Sequence, residues 1–456
     1  MSRQATLIFD IGKTTKKVVL FDSDFHVLEE KTDNLAETVD DDGFPCEDLE
    51  ALTQWTQDKI SYYVQHPEFI ITHINFSAYG ASFVHLDKEG NPMKPLYNYL
   101  RPFPDDCKKT FKDQYDDGLL TTRTASPFLG LLNSGLQLFW LKQCKPSYCE
   151  RIANTLHLPQ YFAYLLTGKK FSDITSVGCH TLLWDYEKND YADWVHSEDL
   201  REKFPAIVGA DETIFIQINN QVVKAGVGVH DSSAALMPYL ATMKDPFLLL
   251  STGTWNICFN PFNKELLTSE ELKQDCLSFL TYNRQPVKAS RIFLGHEHEL
   301  QQRALATYFS VAQGLYANIS FDETLYNKLQ STTSWKPFVP LGMAGSGPLL
   351  PDVATSTDYS SFENFAEAQH HLIRQLVVWQ KISIDLVDPD CRVKNLIVVG
   401  GFTKSKLFLE MMKRLIPERK ILISDHPRAA ALGAAWLVCG PDAYEGKHGL
   451  LNVMAV

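Results

Sequence analysis

The stretch Leu7–Asp22, LIFDIGKTTKKVVLFD, constrains this chain more than any other. It reads as two apolar strands, Leu7–Phe9 and Val18–Phe21, joined by a polar turn. The turn holds Asp10, Gly12, Lys13, Thr14, Thr15, Lys16 and Lys17. β-Branched and aromatic residues favour strand, and the glycine breaks the run. Main-chain N–H groups, hydroxyls and ammonium groups together suit phosphate oxygens, and a carboxylate can face a magnesium ion through water. The plain alternative is an ordinary hairpin with a lysine-rich tip.

Gly12-Lys13-Thr14 matches the end of the P-loop pattern GxxxxGK[ST], but the first glycine would fall at Leu7. A P-loop also runs into a helix, whereas this turn runs into Val18-Val19-Leu20. The hairpin instead matches the opening of the actin/hexokinase-type ATPase fold.

At 456 residues, two domains are expected, each large enough for its own core. Hydrophobic residues make up 45% and charged residues 21%, the balance of a soluble globular enzyme. The net charge of −12 argues against nucleic acid or an anionic membrane as the main partner. Nine cysteines without a CxxC pair point to reduced thiols and a cytoplasmic setting. Cys144 and Cys149 lack metal spacing. Asp10 and Lys13 interrupt the N-terminus before any long apolar run, so no signal peptide is expected. Ala429–Cys439 is too short to span a membrane and reads as a helix against a sheet.

Helices are expected from Cys46 to about Val64, over Leu131–Cys144 and over Leu158–Thr167, the last ended by Gly168. Phe69–Phe76 and Phe83–Leu86 read as strands flanking Ser77–Ser82, and Asp87–Asn91 as a tight turn. Lys224–Val229 returns to strand before a helix over Ser233–Leu240, which Asp231 or Ser232 can cap. A boundary falls at Ala241–Pro246, dividing the chain into 1–242 and 243–456. The strand Phe247–Leu250 then leads into Ser251-Thr252-Gly253-Thr254-Trp255, repeating the logic of the first hairpin. Arg374–Asp385 reads as a long helix and Asn395–Val399 as a buried strand. Gly400-Gly401-Phe402-Thr403-Lys404-Ser405, a helix to Leu415, a short strand Ile421–Ile423 and a closing helix Arg428–Cys439 follow.

Six segments taken in order resemble the FGGY carbohydrate kinases over nearly the whole chain: DIGKTTKKVVLFD, LHLPQYFAYLLTGK, AGVGVHDSSAAL, LSTGTW, FVPLGMAGSGPLLPD and VVGGFTKSKLFLEMM. The resemblance implies an α/β chain of two actin-like (ribonuclease H-like) domains with an ATP and sugar cleft between them. It implies ATP and Mg2+ as cofactors and a small-molecule sugar as partner, and it leaves a homodimer open. Asp231 is then the catalytic base, with Asp10 and Asp231 on the metal side. Gly12, Lys13, Thr14, Thr15, Lys17, Gly253, Thr254, Gly345, Gly400, Gly401, Phe402 and Ser405 surround the nucleotide. Lys13 and Lys16 also have the ordinary alternative of pointing to solvent, and Phe402 that of a core position. Tyr79, Ser82, Arg101, His180 and His230 are expected on the sugar.

Gly253-Thr254-Trp255 and His230-Asp231 are most like kinases of deoxyketohexoses such as L-rhamnulose and L-fuculose. SAYGAS departs from both the histidine of xylulose-type members and the acid of rhamnulose-type ones. A pentulose (xylulose or ribulose) or polyol kinase of the same fold is the alternative, and an actin-fold nucleotide-binding regulator the non-enzyme one. His296 and His298 in GHEHE have the look of a metal pair if that segment is strand, but no third ligand is evident.

Overall fold

A computed structural model describes residues 2–330, 336–343, 347–350, 356–424 and 426–456. The chain divides into two compact units. The first holds Met1–Thr242, Ser278–Pro286 and Arg428–Leu450; the second holds Met243–Leu277, Val287–Pro427 and Leu451–Val456. Two segments that the sequence placed in 243–456 therefore pack with the first unit.

The first unit is built on a seven-stranded sheet. The phosphate-type hairpin is real and longer than its apolar core, running over Arg3–Ile11 and Lys16–Phe21 in antiparallel register, with Val27–Asp33 beyond it. On the other side Arg3–Ile11 runs parallel to Phe69–Ala78, which runs parallel to Gln221–Gly226 and to the short strand Val229–His230. Parallel strands buried on both faces read as largely apolar runs, as ATLIF does and FIITHINF does in part. One face is covered by the helix Leu49–Val64, whose first N–H groups, on Glu50 and Ala51, donate to Asp48. There Phe9 stacks on Phe76 at 5.2 Å and meets Trp55 edge-on at 5.7 Å.

Helix Ala429–Cys439 covers the opposite face. The amide of Asn75 donates to the main-chain oxygen of Ala434 at 2.8 Å. A Cβ on Gly433 would lie 1.9 Å from the main-chain oxygen of Ala234, so this helix and helix Asp231–Thr242 touch through their backbones. Only small residues allow that approach, which explains the alanine-rich sequence. Helix Leu158–Thr167 ends, as expected, at Gly168, with φ of +67°.

The second unit repeats the plan. Its seven-stranded sheet runs Cys276–Leu280, Pro286–Ile292, Asn256–Asn260, Phe247–Thr252, Asn395–Gly400, Lys420–Ser424, Val453–Ala455. The hairpin of Phe247–Thr252 and Asn256–Asn260 is antiparallel, and Phe247–Thr252 lies parallel to Asn395–Gly400. Helix Phe365–Val387 is longer than the expected Arg374–Asp385, because Asn364 caps its start by accepting from Glu367. The extra turns mix buried polar Glu367, Gln369, His370 and His371 with apolar residues, which blurs the apolar periodicity there. Gln375 both donates to and accepts from the backbone of Phe338 at 2.8 Å, pinning that segment to the helix.

Candidate active site

Three strand ends converge in the first unit. Asp10 lies opposite Lys17 across the hairpin and beside Ser77 on the next strand, while Val229 pairs with Ser77 and His230 with Ala78. Asp231 follows at once, at the first residue of its helix. Carboxyl ends of parallel strands are where open α/β sheets hold ligands.

Burial, and then the nearby Asp231, push the Asp10 carboxyl up to about 6, against the lowering influence of Lys17. Burial likewise raises Asp231 to about 6, although the Ser232 N–H and hydroxyl hold it down. The Asp231 side chain is still 36% exposed and so open to a ligand. Two carboxylates raised by burial, Asp10 also by the charge of Asp231, form a hard-oxygen site that a divalent cation would relieve. This donor set fits Mg2+.

The turn between the strands is held from within. The Gly12 N–H donates to the Thr15 carbonyl at 2.9 Å, and a Cβ at Gly12 would sit 3.1 Å from that oxygen. Thr14 is exposed and Thr15 half-buried. Lys13 pairs with Glu37 at 3.1 Å near the surface. Lys16 does not point to solvent. It is buried and donates to the carbonyls of Gly12 and Lys13 and to Glu47, because acceptors from its own turn surround it. Lys17 remains half-exposed opposite Asp10.

On the expected sugar side, His230 Nε2 lies 3.5 Å from the Asp231 carboxylate and 3.4 Å from Cys179 Sγ. Burial pushes the His230 pKa down to about 4, so the ring is neutral at physiological pH. Phe279 stacks against His230 at 5.8 Å and lies edge-on to His180 at 6.0 Å. A Cβ on Gly80 would lie 2.7 Å from His230 Nε2, so only glycine leaves that ring its place. His180 has φ of +26°, a strained value for a side-chain-bearing residue, and its carbonyl accepts from Asn133 at 2.7 Å. Gln137 of the same helix segment donates to the Ala81 carbonyl at 2.5 Å, bracing the SAYGAS loop.

Three other residues expected on the sugar have partners within the protein. The Arg101 guanidinium is taken by Asp40 and Asp42 and lies 4.8 Å over the Trp140 ring. The pairing crosses some sixty positions of sequence, which is why the arginine looked available. The Tyr79 hydroxyl donates to Glu47, and Ser82 is buried beside it.

In the second unit a cavity of about 390 Å³ is lined by residues that include Gly253, Thr254, Gly295, His298, Phe402 and Ser405. That volume falls in the small-ligand range. The register places Thr252 beside Gly400. A Cβ on Gly400 would lie 2.0 Å from the Thr252 carbonyl, and its φ is +90°, so glycine is required twice over. Gly401 is not so confined. Phe402 is both core and wall: it packs on Phe408 at 4.4 Å and meets His298 at 5.2 Å. The Ser405 hydroxyl caps the helix Lys406–Leu415 by accepting from Phe408 N at 3.2 Å. Gly345 lies outside the described residues.

His296 and His298 are not a metal pair. Their segment is the helix Leu294–Tyr308, where residues two apart diverge. His296 stacks on Phe293 at 4.4 Å, and His298 stands between Tyr316 and Phe402. Glu297 between them accepts from the N–H groups of Leu341 and Gly342, tying that loop to the helix. Among the described residues the cluster of three or more such side chains close enough to share an ion is Asp40, Asp41 and Asp42, and Arg101 and Lys145 already neutralise it. Also among the described residues, no helix is long and apolar enough to cross a membrane.

Nothing in the local sequence marks Phe279 or Gly295 as a site residue, and it offers His298 only as half of a metal pair. The close Gly253–Gly295 approach exists only in three dimensions, and Phe279 comes from a segment that crosses into the first unit.

The fold has counterparts among known proteins. The FGGY family of carbohydrate kinases matches with its N-terminal domain over residues 5–233 and its C-terminal domain over residues 244–447. The chain belongs to the FGGY family of carbohydrate kinases. A rhamnulokinase of Bacteroides thetaiotaomicron is 24% identical over 216 residues, 45% of this chain and 44% of that protein. A rhamnulokinase of Oceanobacillus iheyensis is 23% identical over 277 residues, 56% of each chain. The chain thus spans about half the length of these curated relatives. A carbohydrate kinase from Novosphingobium aromaticivorans superposes with a TM-score of 0.79 at 25% identity, covering 95% of this chain and 91% of that one. A xylulose kinase from Lactobacillus acidophilus shares the fold, with a TM-score of 0.75 at 15% identity over 99% and 93% of the chains.

Proposed function

We propose that this chain is an ATP-dependent kinase that transfers the γ-phosphate to a hydroxyl of a ketose, acting in the cytoplasm on a 6-deoxyketohexose such as L-rhamnulose or L-fuculose. The observation that carries the reading is Asp231: a carboxylate at a strand end, raised to about 6, open to solvent and next to Asp10. A general base is most useful when its pKa lies near the working pH. At neutral pH Asp231 is mostly ionised and accepts the proton of the sugar hydroxyl. The hydroxyl oxygen bonds to the γ-phosphorus, the bond to the bridging oxygen breaks, ADP leaves and the proton passes to solvent. Neutral His230 keeps the hydroxyl side polar without competing as a cation. Lys17 and the N–H and hydroxyl groups of Gly12, Thr14, Thr15, Gly253 and Thr254 hold phosphate oxygens. Gly400, Gly401 and Phe402 take the adenosine. Mg2+, held by Asp10 and Asp231, would offset phosphate charge.

The sugar preference rests on two supports. The rhamnulokinase relatives carry that name at 23–24% identity. The Phe279 ring beside His180 and His230 offers an apolar wall for a methyl end. A coupled ADP-release assay at fixed ATP, with L-rhamnulose, L-fuculose, D-xylulose and glycerol side by side, tests the reading. A filled apolar pocket contributes about 1–3 kcal/mol, so a preference of roughly tenfold in kcat/KM is expected for the deoxy sugars. If D-xylulose or glycerol wins by tenfold, the pentulose or polyol reading replaces this one. No turnover with any ketose or polyol defeats the kinase reading and leaves the nucleotide-binding regulator.

A further inference from the structure

Behind the phosphate turn the chain closes a ring of contacts that the chemistry above does not use. Lys16, 3% exposed, donates to the carbonyls of Gly12 at 3.1 Å and Lys13 at 2.9 Å, and to one oxygen of Glu47. Its three donors are thereby all engaged. Glu47, 7% exposed, accepts through its other oxygen from the Tyr79 hydroxyl. The Tyr79 main-chain N–H donates to the Ile11 carbonyl at 3.1 Å, which brings the ring back to the start of the turn.

A buried ion pair gains little over apolar packing of the same volume, and losing one partner is costly. Its value here is geometric. Lys16 fixes the two carbonyls that would otherwise turn toward the phosphate side, so the turn presents its donors and not its acceptors. Removing Glu47 leaves a buried ammonium with two carbonyls and no counter-charge.

The ring also has a second neighbour. The residue after Tyr79 is Gly80, which is so close to His230 that a Cβ would lie 2.7 Å from its Nε2. His230 adjoins Asp231. The stretch Ala78-Tyr79-Gly80 thus touches the phosphate turn through Tyr79 and the His230–Asp231 pair through Gly80. Gly80 packs beside the His230 ring and follows Tyr79 directly in the chain, so one short stretch of backbone serves both contacts.

We propose that Glu47 and Tyr79 are positioning residues: the Lys16–Glu47–Tyr79 ring holds the phosphate turn in its donor geometry and links it to the Gly80–His230 contact, so that a sugar beside His230 and a phosphate on the turn strengthen each other's binding. The proposal rests on the kinase reading for the identity of the two ligands. Glu47 and Tyr79 touch neither ligand in it.

The experiment uses the full chain as wild type, Glu47→Gln and Tyr79→Phe. Tyr79→Phe keeps the Lys16–Glu47 pair, so it remains informative if Glu47→Gln does not fold. In ligand-free protein, amide hydrogen exchange over residues 11–17, where the Gly12 N–H is bonded to Thr15, should quicken by about tenfold or more in either variant. In parallel, calorimetry measures the affinity for a non-hydrolysable ATP analogue with Mg2+, with and without saturating L-rhamnulose. Wild type should gain about tenfold from the sugar, and the variants should lose that gain to within about twofold while binding L-rhamnulose alone as before. Unchanged exchange together with unchanged coupling in Tyr79→Phe overturns the proposal, as does a wild type whose nucleotide affinity ignores a sugar that it phosphorylates. If wild type phosphorylates no ketose, the kinase reading fails, and the exchange measurement alone still decides whether the ring holds the turn.

Discussion

Gly295 and Gly253 meet backbone to backbone: a Cβ on Gly295 would lie 1.8 Å from the Gly253 carbonyl oxygen. The helix Leu294–Tyr308 is therefore pressed onto the Gly253-Thr254 turn, where the His296 N–H also donates to the Thr254 carbonyl at 3.2 Å. Gly295→Ala must move either the helix or the turn. Overpacking of this kind costs about 1–3 kcal/mol. The expected outcome is a drop of about tenfold or more in ADP affinity by calorimetry, with L-rhamnulose affinity nearly unchanged. ADP affinity within twofold of wild type would show that the turn is not part of the nucleotide site.

Asp231→Asn should leave ATP-analogue binding nearly intact and remove most turnover. The carboxylate has both a raised pKa and a side chain open to a ligand beside His230. Loss of a general base commonly lowers turnover by about two to four orders of magnitude. The ADP-release assay reads this directly, and turnover within about threefold of wild type rules out the base role.

Phe279→Leu keeps an apolar residue but removes the ring that stacks on His230 and faces His180. Losing an aromatic partner of this kind costs about 0.5–1.5 kcal/mol beyond its area. The expected effect is a rise of several-fold in KM for the sugar with KM for ATP unchanged. Equal rises in both would mark Phe279 as mere support for the fold.

Asp173 gives a pH prediction. It is fully buried, accepts from the Ser176 N–H at 3.0 Å, and burial raises its pKa from 3.8 to about 6. Between those values the folded chain keeps a proton that the unfolded chain has lost. Stability from this group is therefore fully present below about pH 4 and declines as pH rises to about 6. The decline is at most about 3 kcal/mol, at roughly 1.4 kcal/mol per pH unit. Asp173→Asn keeps an acceptor at the helix start without the titration. Urea unfolding midpoints at pH 4.5 and 7.5 should show the variant gaining on wild type toward the higher pH; a constant difference would refute the assignment.

The parts of this molecule legible in its sequence are those set by local patterning. The first hairpin, the helix Leu158–Thr167 with its glycine stop and the strand into Gly400 all announce themselves through apolar period and turn residues. What was not legible depends on distant partners. Lys16 looks like a solvent lysine until Glu47 is placed beside it, and Arg101 looks like a ligand until Asp40 and Asp42 claim it. The strand Thr213–Ile218 is hard to read because it forms the sheet's edge and carries an apolar residue, Phe215, 70% exposed on its outer side, which blurs the alternation. GHEHE invited a strand reading because its histidines alternate, yet the residue that matters most for packing there is the glycine before them.

The alanine-rich helix Ala429–Cys439 has a consequence for how the protein is made. It covers one face of the first unit's sheet, yet it is among the last parts of the chain to be synthesised. At roughly 5–20 residues per second, the nearly two hundred residues after Thr242 take about ten seconds or more to emerge. For that interval Ile8 and Asn75, at the centre of the sheet, have no covering helix from their own chain. The first half of the polypeptide must wait for the end of translation to finish folding, and a nascent chain stalled before Arg428 would present a naked sheet face to chaperones.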